Sequence, residues 1–216
     1  METQTTDLRQ GKSVIDRYGE GLRYFMGQGS LNNALAQLAG DLKEHRIDYM
    51  VIGAVALMAH GYPRFTEDID LVLTPEGLEV FHRELIVFHR ELIGLGYVPA
   101  FPGANKRLRS IRDGVSIEVM TTGEYPGDGK PKPVSMPEPS TASMEIDGIQ
   151  IVTFEKLIDL KLASGMTAPD RLKDLADVQE LIKIRDLHKD FAERLDPYVR
   201  DKFLELCDAV EKSKFS

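Results

Sequence analysis

The segment from Ile47 to Leu73 constrains the fold of this chain more than any other stretch. A short apolar run, IDYMVIG, ends at Gly53, a compact helical pattern, AVALMAHG, follows, and DIDLVL then indicates a second strand. Side chains at positions i and i+2 of a strand point to the same side, so Asp68 and Asp70 are expected side by side. The predicted unit is a strand, a glycine turn, a short helix and a second strand that begins with two carboxylates.

These neighbouring carboxylates need either a proton or a cation, because like charges at this separation disfavour ionisation of both groups. A third acidic side chain, Glu118, lies in a later predicted strand, VSIEVM. If that strand is a neighbour of DIDLVL, the three carboxylates converge. Such oxygen ligands suit Mg²⁺ or Mn²⁺, and two such ions can stabilise the attacking and leaving oxygens of an in-line phosphoryl or nucleotidyl displacement. The sequence therefore predicts catalytic and metal-binding roles for Asp68, Asp70 and Glu118.

The order of the remaining patterns predicts an α/β (α+β) fold, in which flanking helices cover a mixed sheet and a C-terminal helical module follows. Residues 1–29 are expected to form a polar arm, residues 30–152 the α/β domain and residues 153–216 the helical module. Within the α/β domain, a helix is expected from Leu31 to about Glu44. Later strands are expected at 97–101, 106–111 and 115–120, a long exposed loop at 121–140, and a hairpin at 144–152.

A duplicated heptad follows Pro75: VFHRELI at 80–86 is repeated as VFHRELI at 87–93. Seven residues are nearly two helical turns, so the repeat is expected to lengthen one helix by about 10 Å while continuing its apolar stripe. His82 and His89 would lie two turns apart on this helix, too far to share a metal ion, and the duplication already explains both.

The composition favours a cytoplasmic protein that does not enter a membrane. No apolar stretch approaches the roughly 20 residues of a membrane helix, and the polar N-terminus lacks the apolar core of a signal peptide. Cys207 is the single cysteine, so neither an internal disulfide nor a cysteine-based zinc site is expected. The formal net charge of -8 argues against coating of nucleic acid by bulk electrostatics, but not against a local basic patch.

The acidic pair and the glycine turn resemble the nucleotidyltransferase superfamily that includes DNA polymerase beta. Ile52-Gly53-Ala54 matches its glycine turn, Asp68-Ile69-Asp70 its Asp-x-Asp motif, and Glu118 its third carboxylate. The run GAVALMAHGYPRFTEDIDLVL is most similar to AbiEii-type nucleotidyltransferases, the toxin halves of bacterial toxin–antitoxin and phage-abortive systems. The helical segments around Lys161 and Lys173-Asp174 extend this similarity.

The resemblance implies transfer of a nucleoside monophosphate from an NTP, with Mg²⁺ or Mn²⁺, to a hydroxyl of tRNA or a protein, and it implies a partner antitoxin. Gly53 and Ala54 would lie against the triphosphate at a helix N-terminus. Arg64 and Thr66, in the loop before the acidic strand, would contact phosphate or acceptor, although Thr66 could instead cap a turn. Lys161 would reach the nucleotide, or else be a surface lysine with a buried stem.

Two alternatives stay open. One keeps the chemistry and changes the acceptor to an aminoglycoside- or lincosamide-type antibiotic, which an acidic surface suits. The other is a catalytically silent nucleotide-binding module, which is favoured by Ala54 in place of Gly or Ser and by Glu118 in place of Asp.

A basic strip, KRLRSIR, precedes the strand of Glu118. It could contact a phosphate-rich acceptor, but the overall negative charge favours a solvated edge strand whose charges prevent aggregation. Its cationic residues are Lys106, Arg107, Arg109 and Arg112.

Overall fold

The computed structural model of the chain describes residues 29–86 and 96–213. Within these ranges the strands are β1 (Tyr49–Ile52), β2 (Asp68–Leu73), β3 (Tyr97–Pro99), β4 (Arg107–Ser110), β5 (Ser116–Thr121), β6 (Ser143–Ile146) and β7 (Ile149–Val152). The α-helices are α1 (Ser30–Glu44), α2 (Gly53–Ala59), α3 (Pro75–Glu84), α4 (Pro139–Ala142), α5 (Phe154–Thr167), α6 (Leu172–Ile184) and α7 (Arg200–Ser213). Two 3₁₀ turns, Pro169–Arg171 and Lys189–Arg194, precede α6 and α7.

The strands form one mixed sheet in the order β3-β4-β5-β2-β1-β7-β6. The pairs β2–β5 and β1–β7 are parallel, and the other neighbours are antiparallel. The hairpin β6–β7 turns at Asp147 and Gly148, both with positive φ, as the Asp-Gly pair predicts. The predicted fold class, a mixed sheet with flanking helices and helices at the C-terminus, is confirmed.

A single cluster of buried apolar side chains connects the sheet with both groups of helices. It extends from Leu31 of α1 through Val51 of β1 to Leu157 of α5 and Val210 of α7. This cluster includes side chains from both sides of residue 152. The division of the chain at that residue stays a prediction. None of the helices in the described ranges is long and apolar enough to cross a membrane.

The helix with the duplicated heptad is shorter than expected. Thr74 caps its start, its Oγ1 accepting from the Gly77 amide at 2.9 Å, but the helix ends at Glu84. Ile86 instead forms a β-bridge with Tyr97. The prediction that the helix continues through 86 is therefore wrong, because the chain turns here to the edge of the sheet. The second copy of the heptad, including His89, lies outside the described residues.

The segment 121–140 is irregular, as predicted, but the prediction that it is exposed throughout is wrong. Val134 and Met136 are buried, and α4 begins at its end. The Met136 amide donates to the Glu124 carbonyl at 2.7 Å, and the Gly123 amide donates to the Met136 carbonyl at 2.9 Å. These backbone bonds fold the segment back on itself, so that it covers part of the site described below.

The basic strip does not lie on an edge strand. β4 is hydrogen-bonded to β3 on one side and to β5 on the other. The interpretation of its arginines as protection of a sheet edge is therefore wrong, since β3 occupies that edge.

Candidate active site

The parallel pairing of β2 with β5 brings the predicted carboxylates together. Asp70 lies opposite Glu118 in this register, and Asp68 lies opposite Ser116. Residues that alternate with them, such as Ile69 and Ile117, are buried in the core on the other face. The expected adjacency of the two acidic strands is thus confirmed, and it follows from the period-2 pattern of both strands.

A cavity of about 910 Å³ opens in front of these carboxylates. The sheet, α5, the start of α6 and the loop 123–129 form its walls. All eight predicted site residues line it: Gly53, Ala54, Arg64, Thr66, Asp68, Asp70, Glu118 and Lys161. The fold therefore gathers these side chains at one place, while their individual roles stay predictions.

The electrostatics of the cavity are unfavourable for three ionised carboxylates. Burial, together with the nearby Asp68 and Glu118, raises the pKa of Asp70 to about 7 against the opposing effect of Lys161 and Lys173. Near neutral pH, Asp70 is therefore poised between holding a proton and accepting a cation in the proton's place.

Gly53 leaves space for the Asp70 carboxylate. Its φ of +65° is one that residues with a Cβ rarely adopt, and a Cβ added there would lie 1.9 Å from Oδ2 of Asp70. The sequence predicts that this glycine lies against a phosphate. The geometry shows a second requirement for a glycine, because the acidic side chain occupies the space of the missing Cβ.

The donor set fits Mg²⁺ or Mn²⁺ in its chemistry, since all three side chains offer carboxylate oxygens. Within residues 29–86 and 96–213, however, no three His, Cys, Asp or Glu side chains already form a group able to hold an ion. Glu118 Oε1 instead accepts from Arg107 Nε at 3.2 Å, and Thr66 Oγ1 donates to Asp68. Binding of an ion by all three carboxylates therefore requires these side chains to rearrange.

Lys161 is buried, with 7% of its surface exposed, so its interpretation as a surface lysine is wrong. Its Nζ donates to Asp174 Oδ1 at 2.9 Å and to Asp177 Oδ2 at 2.7 Å. Arg64 also donates to Asp177, and Ser164 Oγ donates to Asp174 at 2.7 Å. Two carboxylates thus offset the charge of Lys161 and fix its position at the cavity wall.

The pKa of Asp174 shows the strength of this arrangement. Burial acts to raise it, but the charge and hydrogen bond of Lys161, together with the Ser164 hydroxyl, hold it below its ordinary value. Asp174 is therefore an ionised partner of Lys161 at neutral pH.

Two cations on the cavity wall were not identified as site residues from the sequence. Arg171 and Lys173 line the cavity at the start of α6, and neither has an ion-pair partner among the described residues. Their signal in the sequence was the alternation of basic and apolar residues in DRLKD. The spacing of Asp174 and Asp177 on one helix predicts either that they pair with Arg171 or Lys173 or that they orient Lys161, and the structure pairs both with Lys161.

The loop residues on the opposite wall gave no signal of a site in the sequence. Tyr125, Pro126 and Gly127 belong to a stretch rich in proline and glycine, and only the docking of that stretch on α5 brings them to the cavity.

Comparison with solved structures finds resemblances at low sequence identity. ANT(2″)-Ia, in complex with adenylyl-2″-tobramycin, is 13% identical over 87% of this chain and 98% of its own, with a TM-score of 0.45. JHP933 from Helicobacter pylori is 18% identical over 84% of this chain and 90% of its own, with a TM-score of 0.43. Neither resemblance bears on the substrate of this chain, and no curated protein matches it significantly.

The comparison with family models is decisive. The model of the nucleotidyl transferase AbiEii toxins of type IV toxin–antitoxin systems matches residues 37–212. The match includes the acidic pair, the third carboxylate and the buried lysine with its two aspartates, and it covers most of the chain. The chain therefore belongs to the AbiEii nucleotidyltransferase toxin family.

Proposed function

We propose that this protein transfers a nucleoside monophosphate from an NTP to a hydroxyl of tRNA or a protein, as the toxin of a pair with an antitoxin protein. The observation that carries the proposal is the register of β2 and β5, which sets Asp70 opposite Glu118 at a cavity large enough for a nucleotide. Cytoplasmic NTP would be the donor.

Asp68, Asp70 and Glu118 are the residues that would hold Mg²⁺ or Mn²⁺. When bound, such ions stabilise the charge that develops on the attacking and leaving oxygens of the transfer. The raised pKa of Asp70 supports this assignment, because a cation relieves the repulsion between the carboxylates that burial intensifies.

The triphosphate requires cations that other carboxylates do not already neutralise. Lys161 is shared between Asp174 and Asp177, whereas Arg171 and Lys173 face the same cavity without such partners. We assign the contact with the phosphates to Arg171 and Lys173 together with the backbone at Gly53 and Ala54. Lys161 then acts mainly by holding the wall of the cavity in place.

The proposed transfer is a displacement at the α-phosphorus of the NTP. The acceptor hydroxyl oxygen forms a bond to that phosphorus, the bond to the oxygen bridging the α- and β-phosphates breaks, and pyrophosphate leaves with the electron pair. Glu118, once turned from Arg107, would take the hydroxyl proton.

A catalytically silent nucleotide-binding module is the second candidate. The pairing of Glu118 with Arg107 favours it, because this arrangement neutralises the third carboxylate without a metal. NTP binding without transfer to any acceptor would identify such a module.

The test is the transfer of label from each α-labelled NTP, with Mg²⁺ or Mn²⁺, into total tRNA, a protein extract or aminoglycosides. Asp68→Asn and Asp70→Asn are compared with the wild type and with Asp147→Asn, a change in the hairpin turn. Label in tRNA or protein that both site variants abolish and Asp147→Asn preserves is the expected result. Label in an aminoglycoside would instead indicate the antibiotic acceptor, and NTP binding without label would indicate the silent module.

A further inference from the structure

The sheet ends at β6, and no strand of the described residues pairs with its outer side. In an antiparallel pair such as β6–β7, hydrogen-bonded residue pairs alternate with non-hydrogen-bonded ones. The Thr153 amide donates to the Ala142 carbonyl at 2.8 Å, so every second residue from Ala142, including Met144, bonds to β7. The backbone groups of Ser143 and Glu145 therefore point outward, away from the sheet.

Three of these outward groups are available to another strand. The Ser143 amide donates to the Pro139 carbonyl at the end of α4, so Ser143 offers only its own carbonyl. Glu145 offers both its amide and its carbonyl, for which the described residues supply no backbone partner. An edge with unpaired backbone groups is a template for pairing with a further strand.

A groove of about 420 Å³ runs along this edge, on the face of the sheet that carries the Ser143 and Glu145 side chains. We refer to it as the edge groove. Its charged residues are Lys43, Arg46, Asp48 and Glu145, and all four are exposed. Within the described part of the chain, none of them forms an ion pair. The groove thus carries charges of both signs that this chain leaves unpaired, so the surface is complementary to a second copy of itself.

We propose that the edge groove is the interface of a homodimer, in which the β6 strands of two copies pair antiparallel and join the two sheets into one. A two-fold interface presents the same surface from both copies, so each contact occurs twice. In this dimer Lys43 and Arg46 of one copy face Glu145 of the other.

The outward backbone groups determine the register of the two strands. In the register centred on Met144, each Glu145 amide donates to the Ser143 carbonyl of the other copy, which gives two symmetric bonds. In the register centred on Glu145, the two glutamates would lie directly opposite each other and repel. The register centred on Met144 is therefore favoured.

This register also brings opposite charges and apolar surface together. Glu145 of one copy lies opposite Ser143 of the other, on the face where Lys43 and Arg46 line the edge groove. On the opposite face, Met144 is 44% exposed and would meet Met144 of the second copy. Because Cα atoms in such a non-hydrogen-bonded pair are about 4.5 Å apart, the two side chains shield each other from water.

Asp48, the other acidic residue of the edge groove, lies away from the second copy. It directly precedes β1, and β7 separates β1 from β6. Two strand spacings are about 10 Å, so Glu145 is the anion nearest to the partner strand.

The dimer leaves the main cavity open. The edge groove includes Tyr49 at the start of β1, whereas the main cavity includes Ile52 at its end. These residues are about 10 Å apart along the strand. Affinity for a fluorescent ATP analogue is therefore expected to be the same in the dimer and in variants that are monomeric.

The test is sedimentation velocity of the full chain at low salt, over protein concentrations that span the micromolar range. The wild type is expected to dimerise. Glu145→Lys should weaken the dimer by about tenfold or more, because two symmetric attractions become repulsions. Combining it with Lys43→Glu and Arg46→Glu restores opposite charges across the interface, and this triple variant should dimerise to within about threefold of the wild type.

Two further variants test the backbone pairing and the apolar contact. Glu145→Pro removes the outward amide, which an edge strand tolerates, and should weaken the dimer by about tenfold. Met144→Ser should weaken it by about three- to fivefold through the lost apolar contact. Circular dichroism and affinity for the ATP analogue confirm that each variant is folded.

The matched controls lie outside the edge groove. Ile184→Ser changes an apolar side chain of α6 that is 45% exposed, close to the value of Met144. Glu193→Lys reverses the charge of an exposed acidic residue in the 3₁₀ turn before α7. Both controls should dimerise as the wild type does.

A chain that stays monomeric throughout the micromolar range would overturn the proposal and leave the edge to a different partner. So would a dimer that Glu145→Lys and Glu145→Pro do not weaken, or one that the controls weaken equally. A triple variant no more dimeric than Glu145→Lys would also count against it, because the charges would not face each other. Weakening by both Glu145 variants, with recovery in the triple variant, supports the interface whether or not the protein transfers nucleotides.

Discussion

At the scale of single residues, Gly53 determines whether Asp70 can occupy its position. In Gly53→Ala, the new Cβ would meet Oδ2 at 1.9 Å and Cγ at 2.8 Å, so the carboxylate must move. We expect loss of nucleotidyl transfer and at least about a tenfold fall in Mn²⁺ affinity, equivalent to about 1.4 kcal/mol. Binding is measured by electron paramagnetic resonance of Mn²⁺.

A control variant, Gly103→Ala, separates the effect of the contact with Asp70 from the effect of backbone strain. Gly103 also has a positive φ, +84°, but a Cβ there meets no atom within 4 Å. Gly103→Ala should therefore lose about 1–2 kcal/mol of stability from the left-handed conformation alone and retain Mn²⁺ binding. Equal losses of Mn²⁺ affinity in the two variants would show that the contact with Asp70 is irrelevant.

Lys161 is the cation shared by two buried carboxylates, Asp174 and Asp177, and its removal leaves both without that cation. We expect Lys161→Met to lower the free energy of unfolding at pH 7 by about 3–5 kcal/mol, as is typical for a broken buried ion pair. Lys183→Met, which removes a partly exposed partner of Glu180, should cost about 0–1 kcal/mol. Urea unfolding measures both values.

The stability lost in Lys161→Met is expected to decrease as the pH falls. With Lys161 present, the pKa of Asp174 is held below its ordinary value, so the contribution of this carboxylate to stability is retained above that ordinary value and lost as the pH falls below it. Without Lys161, burial raises that pKa, the folded state takes up a proton more readily than the unfolded state, and the variant gains stability as the pH falls. The deficit of Lys161→Met should therefore be smaller at pH 5 than at pH 7, and an equal deficit at both would contradict the assignment.

At the scale of elements, the contact between the loop 123–129 and α5 closes one wall of the main cavity. A Cβ at Gly127 would lie 2.3 Å from Thr167 Oγ1 and 2.8 Å from the Ser164 carbonyl oxygen. We expect Gly127→Ala to displace the loop and to weaken NTP binding by about tenfold, within the roughly 1–3 kcal/mol cost of overpacking. Faster hydrogen exchange at the Met136 amide, which donates to Glu124, would report the displacement.

The same loop provides the control for this prediction. Gly129 also lines the cavity and has a φ of +70°, but a Cβ there meets nothing within 4 Å. Gly129→Ala should bear a similar backbone strain without lifting the loop, so its NTP affinity should stay close to that of the wild type. A comparable loss in both variants would count against docking of the loop as the cause.

At the scale of the whole molecule, bonds join the two predicted parts of the chain across residue 152. Arg185 donates to the His60 carbonyl at 3.3 Å, and Arg64 pairs with Asp177. With a hydrophobic cluster that includes both parts, we expect a single unfolding transition. Calorimetric and van't Hoff enthalpies should then agree, and near- and far-UV circular dichroism should give the same midpoint. Two separate transitions would instead favour independent domains.

The sequence predicted those features that depend on local periodicity. Alternation in DIDLVL and VSIEVM placed Asp68, Asp70 and Glu118 on one face, and the Asp-Gly turn located the β6–β7 hairpin. It left open whether Asp174 and Asp177 pair with Arg171 or Lys173 or orient Lys161, since Lys161 is 13 and 16 residues away from them and the contact depends on how α5 packs against α6. Nor could it show the docking of the loop around Gly127, because no periodic pattern marks a contact made by irregular backbone.

The position of Glu118 opposite Asp70 depends on the alternation of side chains between the two faces of β5. Removing one residue from β5 would exchange its two faces, so that an apolar neighbour, Ile117 or Val119, would stand beside Asp70 and the glutamate would enter the core. Removing two residues would preserve the face and only shift the row along the strand. An insertion or deletion of an odd number of residues in this strand would therefore remove the third carboxylate from the site, whereas an even number would keep it on the same face but no longer opposite Asp70.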